Sequence, residues 1–197
     1  MNIFTVVFLA FFMAFASIGS SEQPQRTEVE TNTSTQSETN ARSEGATISQ
    51  KEALESAEDY LRVGSYSYQG LIGQLSSEYG EGFSVEDATY AADNCGADWN
   101  AEALEAAQSY LKVGSYSYKG LVEQLSSEYG EQFTMEQATY AADNCGADWN
   151  AEAVEAAQSY INLGGYSRDS LLEQLTSEYG EQFTQEQAEY ALNAVGY

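Results

Sequence analysis

The side chains here that could do chemistry are two cysteines, a cluster of Asp and Asn, and many closely spaced carboxylates. Cys95 and Cys145 stand in identical surroundings, AADNCGADWN, 50 residues apart. A disulfide between them would need Cα atoms within about 7 Å, and equivalent positions of adjacent globular units should lie much further apart. The third copy of the same stretch has Val195 at this position. That points to a small apolar packing site and leaves an intermolecular bridge as the alternative. Asp93, Asn94, Asp98 and Asn100 surround Gly96, but their spacing does not fit a D-x-[DN]-x-[DN]-G calcium loop. Helix capping by Asp98 or Asn100 accounts for them better. Histidine is absent, and no phosphate loop or nucleophile elbow occurs. The paired carboxylates fall on solvated helix faces, where nothing would split their pKa values. The chain reads as a non-enzyme without metal or cofactor.

What positions these residues is a unit that occurs three times at a period of 50 residues. The stretch Ala101 to Asn150 matches 51–100 at 38 of 50 positions, and 101–147 matches 151–197 at 30 of 47. One local structure must therefore explain every copy. In the second copy the apolar residues Leu104, Ala107 and Leu111 recur at helical spacing. Leu121, Val122, Leu125 and Tyr129 do so next, then Ala138, Ala141, Ala142 and Cys145. Gly130 and Gly146 mark helix ends at which a left-handed residue is expected, and Gly114 is a third candidate. Thr134 with Gln137 and Thr184 with Gln187 fit the capping box, Ser84 with Asp87 less well. Ser117 would cap the middle helix, and Asp148 or Asn150 the first helix of the next copy. The pattern predicts helices near 101–113, 118–129 and 135–145, with Phe133 packed back over the preceding helix. A 50-residue unit alone is marginal, so contact between neighbours should help. Trp99 and Trp149 read as packed joints between copies, with carbohydrate stacking as the functional alternative.

The net charge is −24, with −3 in residues 1–50 and −8, −6 and −7 in the three copies. Such a surface attracts basic partners and repels nucleic acid. A three-helix unit with a Gly turn resembles a DNA-binding helix-turn-helix, but that use needs a basic footprint on the phosphates. Each copy has at most two Lys or Arg, so nucleic acid is excluded as a partner. The acidic Glu-Tyr-Gly-Glu corner recurs as Glu78–Glu81, Glu128–Glu131 and Glu178–Glu181. It reads either as a solvated face or as a repeated binding point for a basic protein segment.

Residues Ile3 to Ile18 are apolar except Thr5 and Ser17. This run is short for a full membrane span of about 20 residues. No Lys or Arg precedes it, so it lacks the positive flank of a signal peptide. An N-terminal membrane anchor is favoured. Ala14-Phe15-Ala16 leaves cleavage after Ala16, and hence secretion, as the alternative. Residues 20–48 are Ser, Thr, Glu, Gln and Asn-rich, a flexible tether reaching roughly 30 Å.

The pattern AL..A..YL, then YS..GL..QLSSEYG, the following Phe, and the ADWN joint occur together and in order in copies one and two; copy three keeps a shortened form. It resembles the repeat of the Ltp-type host-cell surface-exposed lipoproteins of Gram-positive bacteria and their temperate phages. The resemblance covers roughly 53–197. It implies small helix-turn-helix-like units displayed outside the membrane, and a role in superinfection exclusion, in which a resident prophage blocks DNA entry by related phages. Family lipoproteins carry an acylated Cys just after the signal. This chain has none there, so an uncleaved hydrophobic segment would have to take its place.

The expected architecture is all-α, a tandem array of three short three-helix repeats at 49–98, 99–148 and 149–197. It follows an anchor at 1–19 and a linker at 20–48. The expected function is a tethered, protein-binding array on the extracellular face of a Gram-positive membrane, blocking phage DNA injection. A host adhesin or envelope spacer is the alternative. The partner would be a basic protein segment, such as part of a phage's injection machinery, and the membrane would be engaged through the N-terminal segment. The residues expected to meet the partner are Glu78, Glu81, Glu128, Glu131, Glu178 and Glu181, with Tyr68 and Tyr118 as exposed aromatics.

Overall fold

The structure, a computed structural model, describes residues 45–197. The expected anchor at 1–19 and most of the linker lie outside the described residues. Among the described residues every regular element is an α-helix, and no helix is long and apolar enough to cross a membrane. Repeat 1 comprises α1 (Ile48–Val63), α2 (Tyr68–Ser76) and α3 (Val85–Asn94). Repeat 2 comprises α4 (Trp99–Val113), α5 (Tyr118–Ser126) and α6 (Met135–Asn144). Repeat 3 comprises α7 (Trp149–Leu163), α8 (Arg168–Thr176) and α9 (Gln185–Ala194). The all-α array of three three-helix repeats is the architecture that the sequence predicts.

Helix starts follow the capping chemistry. Thr134 and Thr184 form reciprocal capping boxes with Gln137 and Gln187. Ser117 caps α5 by accepting from Gly120 N. Of the two candidates for the first helix, Asp148 is the cap, accepting from the backbone N–H of Asn150 and Ala151. Each such bond satisfies an orphan donor of the first turn.

Each repeat has its own core. In repeat 2 the first and third helices face each other through Ala103, Ala106 and Ala107 against Ala138, Ala141 and Ala142, all buried. Side chains this small let two short helices pack closely. Leu121 and Leu125 of the middle helix fill the remaining space at 0 % exposure, and Phe133 closes the core at 2 %. Cys95 and Cys145 are free and half-buried, at the edge of the cores rather than deep inside them. Their Sγ atoms donate to the carbonyls of Ala92 and Ala142 at 3.4 and 3.3 Å.

The middle helix is shorter than its apolar spacing predicts. It ends at Ser126 rather than Tyr129. The chain then doubles back, so that Glu131 N and Phe133 N donate to Gln124 O and Leu125 O at 3.1 and 2.9 Å. Carbonyls at a helix end need such partners, and Phe133 enters the core by supplying one. Tyr129, which fits the apolar stripe, is turned out to solvent instead. The doubling back also corrects the expectation for Gly130, which does not take a left-handed φ. A Cβ there would lie 1.9 Å from Gln124 O, so the position needs glycine for close approach. Gly114, the other candidate, is extended at φ −165°. Gly146 is left-handed as expected, at φ +79°. The turn's own left-handed residue is two positions beyond Gly130, at Gln132 and Gln182, with φ 59° and 60°.

These two turn positions should therefore respond oppositely to substitution. Gly130→Ala forces backbone apart and should cost about 1–3 kcal/mol. Gln132→Gly relieves a left-handed side chain and should be neutral to stabilising by up to about 1 kcal/mol. Thermal and urea unfolding followed by circular dichroism would measure both. Equal destabilisation by the two would contradict this account of the turn.

Candidate functional site

The six corner glutamates divide into two chemically different sets. Glu78, Glu128 and Glu178 lie in the turn with exposed side chains. Glu81, Glu131 and Glu181 each accept a hydrogen bond from a tyrosine of the first helix of the same repeat. Tyr60 Oη donates to Glu81 Oε1 at 2.8 Å, Tyr110 to Glu131, and Tyr160 to Glu181 at 2.5 Å. A glutamine of the middle helix completes each triad. Gln74, Gln124 and Gln174 donate from Nε2 to the tyrosine oxygens at 3.2, 3.2 and 3.1 Å. The triad ties all three parts of the repeat together: first helix, middle helix and corner.

Two of these corners also lie at repeat junctions. A Cβ on Gly70 or Gly120, in the middle helix of the preceding repeat, would sit 3.6 Å from Glu131 O or Glu181 O. Glu102 Oε2 accepts from Tyr66 N across the first junction at 3.3 Å, and Glu152 Oε2 from Tyr116 N across the second at 3.2 Å. Gln182 Nε2 reaches back to Glu123 Oε2 at 2.7 Å. Glu131 and Glu181 are half-buried accordingly, while Glu81, with no repeat before it, is exposed. Glu131 and Glu181 thus do not present free carboxylates to solvent, because the junction and the tyrosine bond take them up.

Tyr68 and Tyr118 are not exposed aromatics either. Each is half-buried, packs T-shaped with Trp99 or Trp149 at 5.6 Å between ring centroids, and donates to Asp93 or Asp143 at 2.8 or 2.9 Å. Trp99 and Trp149 begin the first helix of one repeat while packing against the core of the repeat before. The expected joint is thus a shared residue. The Asp and Asn cluster disperses into separate local tasks: Asp98 caps α4, Asp93 accepts from Tyr68, and Asn94 donates to Tyr90 O. Among the described residues no group of three or more Cys, Asp or Glu is placed to hold a metal.

The positions whose contacts or exposure the sequence did not reveal are Glu102, Glu152 and the Tyr79, Tyr129 and Tyr179 series. The signal for Glu102 and Glu152 was their recurrence, but a glutamate in a first helical turn reads equally well as a favourable dipole partner. Tyr79, Tyr129 and Tyr179 are the most exposed aromatics among the described residues, at 84, 80 and 86 %. Their turn location follows only once Gly130 is understood as a close-approach glycine.

A family model described as host cell surface-exposed lipoprotein, Ltp, matches residues 49–95, 98–145 and 148–195. The chain belongs to this family. None of the curated proteins matches it. Among solved structures, it is similar to Ltp, a superinfection exclusion protein from the Streptococcus thermophilus temperate phage TP-J34. The identity is 32 %, over 48 % of this chain and 92 % of that one, with a TM-score of 0.44.

The junction electrostatics of this Ltp-type array set a pH dependence. Burial raises the carboxyls of Glu102, Glu152 and Glu181, against the opposing pull of the N–H or tyrosine O–H each accepts. A carboxyl raised in the folded state binds more protons there than in the unfolded chain. Its contribution to stability is therefore full below the ordinary value of 4.5 and is lost as pH rises through the folded value. The phenols of Tyr110 and Tyr160 are raised too, by burial and by the neighbouring carboxylates. Stability should thus fall again once pH passes the ordinary tyrosine value of 10.0. The melting temperature is expected to rise as pH is lowered from 7 towards 4.5. Glu181→Gln, which keeps an acceptor but removes the titration, should flatten the rise. A melting temperature that drops steadily over this range would refute the assignment.

Proposed function

We propose that the chain is a membrane-tethered superinfection exclusion protein that captures a basic part of an incoming phage's injection machinery and so blocks DNA entry. Membership of the surface-exposed Ltp family over 49–195 carries this reading. The charge supports the capture step. With 31 acidic against 7 basic residues, the array would draw in a basic partner at long range, and three repeats on a tether would add avidity. Of the six corner glutamates, Glu78, Glu128 and Glu178 are the ones positioned to act, since the others are engaged in the triads.

The test is phage challenge of a Gram-positive host expressing the full chain, with adsorption and DNA entry scored separately. Normal adsorption with blocked entry is expected. The triple variant Glu78→Gln, Glu128→Gln, Glu178→Gln should fold normally and slow capture by about ten-fold or more at low salt, weakening protection. If the triple variant protects as well as the parent, capture does not run through these carboxylates. Normal adsorption with normal entry across several phages would replace exclusion with an adhesin or spacer role.

A further inference from the structure

Each internal junction joins the front of one repeat to the rear of the repeat before it. The front of repeat 1 keeps the groups that the other fronts use. Glu52 stands at the position of Glu102 and Glu152, Glu81 at that of Glu131 and Glu181, and Phe83 at that of Phe133 and Phe183. Glu52 and Glu81 are exposed where their counterparts are half-buried, and Phe83 is half-buried where its counterparts are buried. The rear of repeat 3 keeps Tyr166 and Glu173. Tyr66 N and Tyr116 N donate across their junctions, and Tyr166 N donates to no group among the described residues.

The two end faces depart from the internal ones in ways that match each other. At the front of repeat 1, Ser49 stands at the position of Trp99 and Trp149, and its Oγ donates to Asp87 Oδ2 at 2.7 Å. Ser84 Oγ donates to the same oxygen at 2.8 Å, which leaves Asp87 Oδ1 without a hydrogen bond among the described residues. At the rear of repeat 3, Arg168 stands at the position of Tyr68 and Tyr118, which meet those tryptophans. It is the one basic residue of copy three, is half-buried, and forms no ion pair among the described residues. The core of repeat 3 holds Leu192 where repeat 2 has Ala142, so it fills its end without a tryptophan. An aromatic pair has thus become a cation on one end face and a carboxylate on the other. Ser170, in place of Gly120, is compatible with the same approach, since a Cβ at Gly120 would meet Glu181 O at an ordinary 3.6 Å.

We propose that the front of repeat 1 receives the rear of repeat 3 of a second copy of this chain, so that arrays associate head to tail. Arg168 of one copy reaches Asp87 of the other through the space that Tyr118 and Trp149 fill at an internal junction. Tyr166 N then donates to Glu52 as Tyr116 N does to Glu152. Between two chains of net charge −24 a contact needs opposite charges where they touch, and Arg168 supplies the cation. The end contact lacks the tryptophan, and Gly82 stands where Gln182 bonds to Glu123. It is therefore weaker than an internal junction and depends on concentration. Front and rear are different surfaces, so the contact does not close on itself and further copies can add. This association does not depend on what the array captures.

The test is co-purification, after brief chemical cross-linking, of two differently tagged full chains expressed together. The parent pair is expected to co-purify. Arg168→Glu in both chains should cut recovery by about ten-fold, and Glu52→Lys in both chains should do the same. Pairing a chain that carries Arg168→Glu with one that carries Glu52→Lys should restore recovery. Each variant spoils one end only, and the intact front of the first meets the intact rear of the second. Near-parental melting curves would show both variants to be folded. A parent pair that does not co-purify, or recovery that survives in both matched variant pairs, would overturn the head-to-tail contact. Loss in the mixed pair as well would overturn it too, since two different faces could not then be involved.

Discussion

The structure depends on a residue that two repeats share. Trp99 and Trp149 are the first residues of α4 and α7, yet their rings pack against the cores of the repeats before them. A unit of this size buries too little surface to be robust alone. Sharing a tryptophan adds apolar burial to the preceding repeat and at the same time fixes where the next helix starts. The edge contacts with Tyr68 and Tyr118 orient the indoles, and the tyrosine hydroxyls are anchored in turn on Asp93 and Asp143. Removing one such ring would open the end of one core and free the entry of the next helix together. The two consequences cannot be separated, which is why neighbouring repeats in such arrays stabilise each other.

A second layer of coupling is polar. Each Gln-Tyr-Glu triad runs from the middle helix through the first helix to the corner, and at both junctions the corner then meets the repeat before it. Half-burying a carboxylate is tolerable because it is hydrogen-bonded, and a satisfied network in a drier setting is stiffer than the same bonds in water. The same triad in repeat 1 lacks a preceding neighbour, and there Glu81 is exposed and Phe83 only half-buried, whereas Phe133 is buried. Comparing copies within one chain thus separates what a repeat does for itself from what its neighbour does for it. The division also sorts the acidity: part of the carboxylate set is structural, and part faces solvent.

Much of this was legible in the sequence. The period gave three copies of one structure, the Thr and Gln pairs gave helix starts, and the alanine stripes gave the core faces. The failures share a cause. Tyr129 continues the i, i+4, i+8 spacing of Leu121 and Leu125, so helical periodicity carries it into the core. What ends the helix earlier is a backbone approach at Gly130 that leaves no mark in the pattern of side chains. Tyr68 and Tyr118, at the start of a short helix beside a turn, look solvent-facing until Trp99 and Trp149 are placed against them from the next repeat. Glu131 and Glu128 are alike in composition and lie one and two residues from Gly130, yet one accepts from the half-buried Tyr110 and the other is exposed. Periodicity reports which face of an element is apolar; it does not report contacts made between elements.

Copy three shows that its divergence is structural rather than random. The position of Tyr68 and Tyr118, which meet Trp99 and Trp149, is Arg168 in copy three. The Gly that sits against the next repeat's corner at Gly70 and Gly120 is Ser170, whose hydroxyl completes a local cap with Ser167. Tyr197 Oη donates to Tyr166 O at 2.6 Å, on the residue whose counterparts, Tyr66 and Tyr116, donate across a junction. Two of the positions that meet the following repeat, Tyr118 and Gly120, are thus changed in copy three, while Tyr166 and Glu173 are kept. The parts that need only a predecessor, Glu152, Glu181 and Gln182, are kept. The triad, whose three members all lie within one repeat, persists in every copy.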